Sequence, residues 1–128
     1  MQVTGIHHIA IICSDYARSK HFYSELLGFA VIRETYREAR DSYKLDLRVN
    51  EFTQLELFSF PQPPARSSQP EACGLRHLCF GVMDLAGVVA GLEAQGLTVE
   101  PIRLDDLTGK RYTFFHDPDG LPLELYEV

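Results

Sequence analysis

The chain has 128 residues, 45% of them apolar and 23% charged, which suits one soluble domain with a core of its own. The formal net charge of −6 argues against a general nucleic-acid binder, which would show a basic excess. No apolar run approaches the ~20 residues of a membrane span. Met1 to His8 has neither a basic n-region nor an apolar h-region, so no signal peptide is expected and a cytoplasmic location is. Three cysteines, Cys13, Cys73 and Cys79, are odd in number and in no CxxC spacing, which fits reduced structural thiols.

The first element in chain order is a strand over Thr4 to Ile12, rich in Ile. Asp15 is placed to cap a helix from Tyr16 to Leu27, with Phe22, Tyr23, Leu26 and Leu27 at helical spacing and Gly28 at its end. Three strands are expected near Ala30 to Arg37, Ser42 to Val49 and Phe52 to Phe60. The proline-rich stretch from Pro61 to Cys73 reads as a loop or linker. The same order then returns: a strand over Arg76 to Val82, an N-cap at Asp84, a short helix with Leu85, Val88, Val89 and Leu92 on one face, and a stop at Gly96. Strands near Thr98 to Leu104, Arg111 to His116 and Leu121 to Val128 follow, with a turn at Asp117-Pro118-Asp119-Gly120 between the last two.

The plan is therefore β-α-β-β-β twice. His8 to His77 and Asp15 to Asp84 are each 69 residues, and Gly28 to Gly96 and Glu56 to Glu124 are each 68. One offset with a single deletion, placed in the second helix, relates all four landmarks, as an internal duplication would. The expected organisation is one α+β domain over residues 1–128: a first module over about 3–60, a linker over 61–73 and a second module over about 74–128.

Each module supplies one histidine on its first strand and one glutamate on its last. Strand alternation puts His8 with Ala10 and Ile12, and His77 with Cys79 and Gly81, while Glu56 and Glu124 point away from their flanking leucines. A carboxylate in an apolar strand is costly unless paired or bound to a metal. If a pseudo-twofold axis relates the modules, His8, Glu56, His77 and Glu124 converge as two imidazoles and two carboxylates. Such a set suits one divalent ion: Ni, Zn, Co, Mn or Fe. His7, His21 and His116 have no repeat partner and are expected to be structural or on the surface. The run from Tyr36 to Lys44 mixes both charge signs and reads as a solvated hairpin, in which Arg37 or Arg40 could grip a substrate carboxylate or phosphate; Arg111, after Lys110, invites the same reading.

These motifs together, with Phe22-Tyr23, Leu27-Gly28-Phe29 and the Asp117 to Gly120 turn leading to Glu124, resemble the vicinal oxygen chelate superfamily. That superfamily includes glyoxalase I, methylmalonyl-CoA epimerase, extradiol dioxygenases and the fosfomycin- and bleomycin-resistance proteins. Within it the chain looks most like the small YaeR-like, glyoxalase-related lyases. The resemblance implies two βαβββ modules whose sheets form a cup around a metal, commonly in a homodimer. It implies metal ligands at His8, Glu56, His77 and Glu124, and a lyase or isomerase that moves a proton between adjacent carbons through a metal-bound enediolate, with Glu124 as the base. Glu124 also lies four residues from the chain end, in a strand tied down from fewer directions than that of Glu56. In bacterial glyoxalase I, an Arg and an Asn that contact glutathione would fall at Ile12 and Phe60, so the substrate need not be glutathione-linked. The family offers three rivals: a dioxygenase with two His and one carboxylate, a fosfomycin-resistance-type transferase with a similar set, and a non-catalytic binding protein of the bleomycin-resistance type. The fourth ligand, Glu56, counts against the first two, and the full set against the third.

Overall fold

A computed structural model describes residues 1–128, and the chain divides into two compact units, Met1–Ala65 and Arg66–Val128. The division falls inside the proline-rich linker. No helix is long and apolar enough to cross a membrane.

The first unit runs β1 (His8–Cys13), α1 (Tyr16–His21), a π-helical turn (Phe22–Leu26), β2 (Ala30–Arg37), β3 (Ser42–Arg48) and β4 (Gln54–Ser59). Its four strands form one sheet in the order β1-β4-β3-β2, with β1 parallel to β4 and the other pairs antiparallel. The second unit repeats this with β5 (Leu78–Val82), α2 (Leu85–Ala94), β6 (Arg103–Leu104), β7 (Arg111–His116) and β8 (Pro122–Glu127), in the order β5-β8-β7-β6. The duplication expected from the spacing is thus present as α+β structure, strand for strand.

Local chemistry explains the boundaries. The Asp15 carboxylate accepts from the Arg18 N–H and that of Asp84 from the Gly87 N–H, so both predicted N-caps satisfy a free amide of the first helical turn. Gly28 and Gly96 close the helical segments at φ +73° and +83°, where a side chain would be strained. The first helical segment is longer than the second by one residue, and that residue is taken up in the π-helical turn, where Leu27 N–H reaches back to Phe22 O. A π turn is what one inserted residue produces in an α-helix, and here it carries the adjacent Phe22 and Tyr23 into the core. The change of offset from 69 to 68 has its physical counterpart there.

Several strands are shorter than the sequence suggests. Thr4 to His7 precede β1, because the ladder to β4 begins at the His8–Gln54 rung. His77 stands immediately before β5 rather than within it. Thr98 to Ile102 are not strand: Pro101 has no N–H to donate, and only the Glu100 N–H to Phe114 O bond ties the segment to β7 ahead of the short β6.

Each sheet buries one face beneath its helix. In the first unit Ile11, Leu45, Leu47, Leu55 and Leu57 join Phe22 and Tyr23; in the second Leu123, Leu125 and Phe115 join Leu85, Val89 and Leu92. Leu123 is wholly buried in β8, with β5 and β7 on either side. Leu123→Ala is expected to cost about 2–5 kcal/mol, the usual range for a core leucine, measured by urea unfolding. A loss below about 0.5 kcal/mol, as at a surface position, would mean that this core is not packed as described.

Candidate functional site

The faces of the two sheets opposite the leucines carry the chemistry. In the first unit Ala10 pairs with Glu56 in the parallel β1–β4 ladder; in the second Cys79 pairs with Glu124 in the β5–β8 ladder. Residues directly across a rung share a face, and a residue two positions earlier shares it too. His8 and His77 each stand two residues before that rung, so each imidazole leans over its own glutamate. His8 Nε2 lies 3.8 Å from Glu56 Oε2, and His77 Nε2 lies 2.9 Å from Glu124 Oε2. Both carboxylates are 13% exposed, whereas the imidazoles are 44% and 33% exposed. Within either unit, no group of three or more His, Cys, Asp and Glu side chains is placed to hold a metal. The structure therefore brings the four predicted ligands together as two pairs, one in each unit.

The donor chemistry of each pair fits a divalent ion. An imidazole nitrogen and a carboxylate oxygen lie side by side, and the imidazole remains open to solvent.

The pairs differ in their surroundings. In β3, directly across the ladder from Glu56, stands Asp46, and two like charges on one rung repel. Lys44 resolves the conflict. Its ammonium donates to Asp46 Oδ1 at 2.6 Å and lies 2.8 Å from Glu56 Oε1, while Arg33 Nε approaches Asp46 Oδ2 at 3.4 Å. Asp46, and then Glu56, hold the Lys44 proton more firmly than usual, so Lys44 is a fixed cation beside Glu56. The same rung in the second unit holds Phe114 opposite Glu124, with Tyr112 at the position matching Lys44. The Phe114 ring packs edge to face on His77, centroids 5.3 Å apart. Glu124 has no lysine or arginine beside it, and His77 is its ring partner. Its further partner is the Cys79 thiol, whose pKa burial, and then the Glu124 carboxylate, push up to about 12. Cys79 is thus a neutral S–H directed at Glu124 rather than an activated thiolate.

Lys44 and Asp46 were missed by treating Tyr36 to Lys44 as a solvated hairpin. The signal was available: in Tyr43-Lys44-Leu45-Asp46-Leu47 the leucines face the core, so Lys44 and Asp46 must share the face of Glu56. The three arginines named as anion-binding candidates are placed as follows. The Arg37 guanidinium donates to Ser42 Oγ at 2.7 Å and lies over the rings of Phe58 and Phe60, at 4.7 and 5.6 Å, with its Nε buried and unpartnered. Arg40 sits exposed in a 3₁₀ turn over Glu38–Arg40. Arg111 donates through Nε to Glu127 at 2.9 Å and through its terminal nitrogen to the same carboxylate, a closed bidentate pair. Of the unmatched histidines, His7 is in contact with His8, their Nδ1 atoms 2.9 Å apart.

The proline-rich segment also does more than connect. Arg66 to Ala72 form one wall of a cleft of about 600 Å³ whose other residues include Arg76, His77, Arg103, Phe114 and His116, all in the second unit.

The chain has counterparts among known proteins. The chain is 63% identical over 127 residues to the uncharacterized protein YwkD of Bacillus subtilis (strain 168), covering 99% of both chains. It is 62% identical over 122 residues to the uncharacterized protein YaeR of Escherichia coli (strain K12), covering 95% of both. The crystal structure of a glyoxalase family protein from Enterococcus faecalis superposes with a TM-score of 0.90 at 53% identity, covering 97% of this chain and 98% of that one. More distant relatives have named activities: a 2-epi-5-epi-valiolone epimerase of Actinomyces sp, 29% identical over 97% of this chain and 79% of its own, and glyoxylase I 4 of Arabidopsis thaliana, 26% identical over 98% and 71%. The profile of the glyoxalase/bleomycin resistance protein/dioxygenase superfamily matches residues 5–125, and the chain belongs to that superfamily.

Proposed function

We propose that this protein is a divalent-metal-dependent lyase or isomerase of glyoxalase I type, which moves a proton between adjacent carbons of a small carbonyl substrate. The observation that carries this reading is the same His–Glu pair at the matching place in both halves, His8 with Glu56 and His77 with Glu124, each His two residues before the rung of its Glu. A binding protein with no chemistry to perform has no need of two imidazoles set over two buried carboxylates. The distant epimerase and glyoxylase I relatives are in keeping with it.

His8, Glu56, His77 and Glu124 are the donors that would hold the ion. When bound, it supplies Lewis-acid polarisation of the substrate carbonyl. Glu124 takes the proton from one carbon and returns it to the next, as a positioned carboxylate base. Glu56, held by Lys44, stays a ligand. The Cys79 S–H gives Glu124 a neutral donor when the carboxylate is charged. We take the working assembly to be a homodimer, to be checked by light scattering.

The test is solvent-deuterium exchange into hydroxyacetone and into the adducts of methylglyoxal with a panel of thiols, using protein loaded in turn with Ni and Zn. Exchange that depends on metal supports the reading, and its absence from every substrate with metal bound refutes it. Glutathione is expected to be a poor member of the panel. Ile12 is 56% exposed on the face of His8, and Phe60 is stacked on Phe58 beneath Arg37, so neither position offers a polar contact. A turnover with methylglyoxal and glutathione within tenfold of the usual enzyme median of about 10 per second would overturn that expectation.

A further inference from the structure

The cleft of the second unit is chemically unlike the rest of the chain. The protein carries a net charge of −6, yet three arginines, Arg66, Arg76 and Arg103, face two glutamates there, Glu71 and Glu100. Arg66 is committed to shape: its terminal nitrogen donates to Leu75 O at 2.6 Å and Arg76 O at 3.0 Å, and its Nε to Ser68 Oγ at 2.9 Å. It holds the linker wall in place without a carboxylate to neutralise it. The Arg76 side chain makes no hydrogen bond or ion pair. Arg103 gives one terminal nitrogen to Glu100 at 2.7 Å and lies over the rings of Tyr112 and Phe114, at 5.1 and 5.6 Å. Stacking fixes the guanidinium plane and leaves other N–H donors of its fork free.

From this we infer that the cleft binds the anionic group, a carboxylate or a phosphate, of a small molecule through Arg76 and Arg103. About 600 Å³ suits a small ligand, and the cleft combines aromatic floor with a few directed polar groups. The place of the arginines relative to His77 gives the site its meaning. Arg103 rests on the Phe114 ring, and that ring packs on His77. One aromatic ring therefore separates the anion-holding guanidinium from the imidazole proposed as a metal ligand. A ligand of a few carbons, with a carbonyl at one end and an oxyanion at the other, spans that distance. The substrate class is an anionic carbonyl compound, an inference that rests on the proposed function for the carbonyl end alone.

The repeat shows that these cations are not an inherited part of the fold. The first unit has His7 where the second has Arg76. It has Thr35 across the ladder from Lys44, where the second has Arg103 across from Tyr112. In the first unit the cation of that face, Lys44, is taken up by Asp46 and Glu56, whereas in the second unit Arg76 has no carboxylate partner.

The experiment is a titration of metal-free protein with inorganic phosphate and, separately, with acetate, at ionic strength held constant with sodium chloride, following the arginine Nε–Hε resonances. Saturating shifts at Arg76 and Arg103 are expected, with a dissociation constant of about 1 mM for the tighter anion. The Arg76→Gln, Arg103→Gln double variant, altered only at exposed positions, is expected to bind at least about tenfold more weakly. Shifts that stay linear to ~50 mM, a dissociation constant far above that range, or a double variant that titrates like the parent, would overturn the inference. His77→Ala separates the two readings: it should keep phosphate binding while losing metal. Metal binding by the parent without saturable anion binding refutes the cleft alone.

Discussion

Purified protein is expected to carry one divalent ion per complete set of four donors, and His77→Ala is expected to bind that ion at least about 100-fold more weakly. Loss of a partner that merely orients a ligand already costs about 10–100-fold in metal affinity, and His77 is proposed as a ligand itself. Its Nε2 is the nitrogen that faces Glu124, at 2.9 Å, so the substitution removes one donor and leaves the other with only the Cys79 thiol beside it. His8→Ala should act in the same direction. Its distance to Glu56 is longer, 3.8 Å, and Lys44 continues to hold Glu56 without it, so the orphaned carboxylate is less disturbed. Elemental analysis after dialysis against trace Ni or Zn measures both. Unchanged metal content in both variants would remove the basis for the four-donor centre. Chelation gives a second readout: because bound metal stabilises the state that binds it, EDTA should lower the melting temperature of the parent and leave that of His77→Ala where it was.

How much of this was legible beforehand follows from what kind of signal each feature leaves. The duplication was legible because His8, Asp15, Gly28 and Glu56 recur at nearly one offset, and a cap, a stop and a ligand pair are each local features of sequence. The one-residue irregularity was legible as a deletion, but its form was not: a π turn at Phe22–Leu26 depends on both Phe22 and Tyr23 finding room in the core. Strand ends were misjudged where pairing decides. Thr4 to His7 have a suitable composition but lie ahead of the first rung with β4, and Thr98 to Ile102 lose their ladder at Pro101. Lys44 was hidden for another reason. A lysine amid mixed charges looks solvated until the rung opposite Glu56 is known to hold Asp46. The cleft could not be read at all, since it depends on Arg66 folding the linker back onto the carbonyls of Leu75 and Arg76.

The surroundings of the two glutamates are the ground for proposing Glu124, and not Glu56, as the residue that moves the proton. By the repeat alone Glu56 and Glu124 are equivalent, and the expectation that the strand of Glu124 is tied down from fewer directions fails, because β8 is paired on both sides, by β5 and β7, as β4 is by β1 and β3. Their surroundings separate them more sharply. Glu56 has the Lys44 ammonium at 2.8 Å, shared with a buried Asp46, and a carboxylate so held is slower to leave its place. Glu124 faces an aromatic rung in Phe114, an imidazole and a neutral thiol, and no ammonium holds it in place. Glu124→Gln is therefore expected to retain much of the metal, through the amide oxygen, while losing proton exchange by about 10²–10⁴-fold, the usual contribution of a positioned base. Glu56→Gln should show the converse: weaker metal binding, because Lys44 then faces an amide and pairs with Asp46 alone, but exchange within about tenfold of the parent once metal is saturating. Lys44→Met adds a control. Removing the cation leaves Asp46 and Glu56 opposed, so the variant should be less stable without acquiring the Glu124→Gln phenotype. Solvent-deuterium exchange into hydroxyacetone, normalised to bound metal, reads all three. If Glu124→Gln exchanges at the parental rate and Glu56→Gln does not, the base lies in the first unit, and Lys44 tunes the proton-transfer residue instead of holding a ligand still.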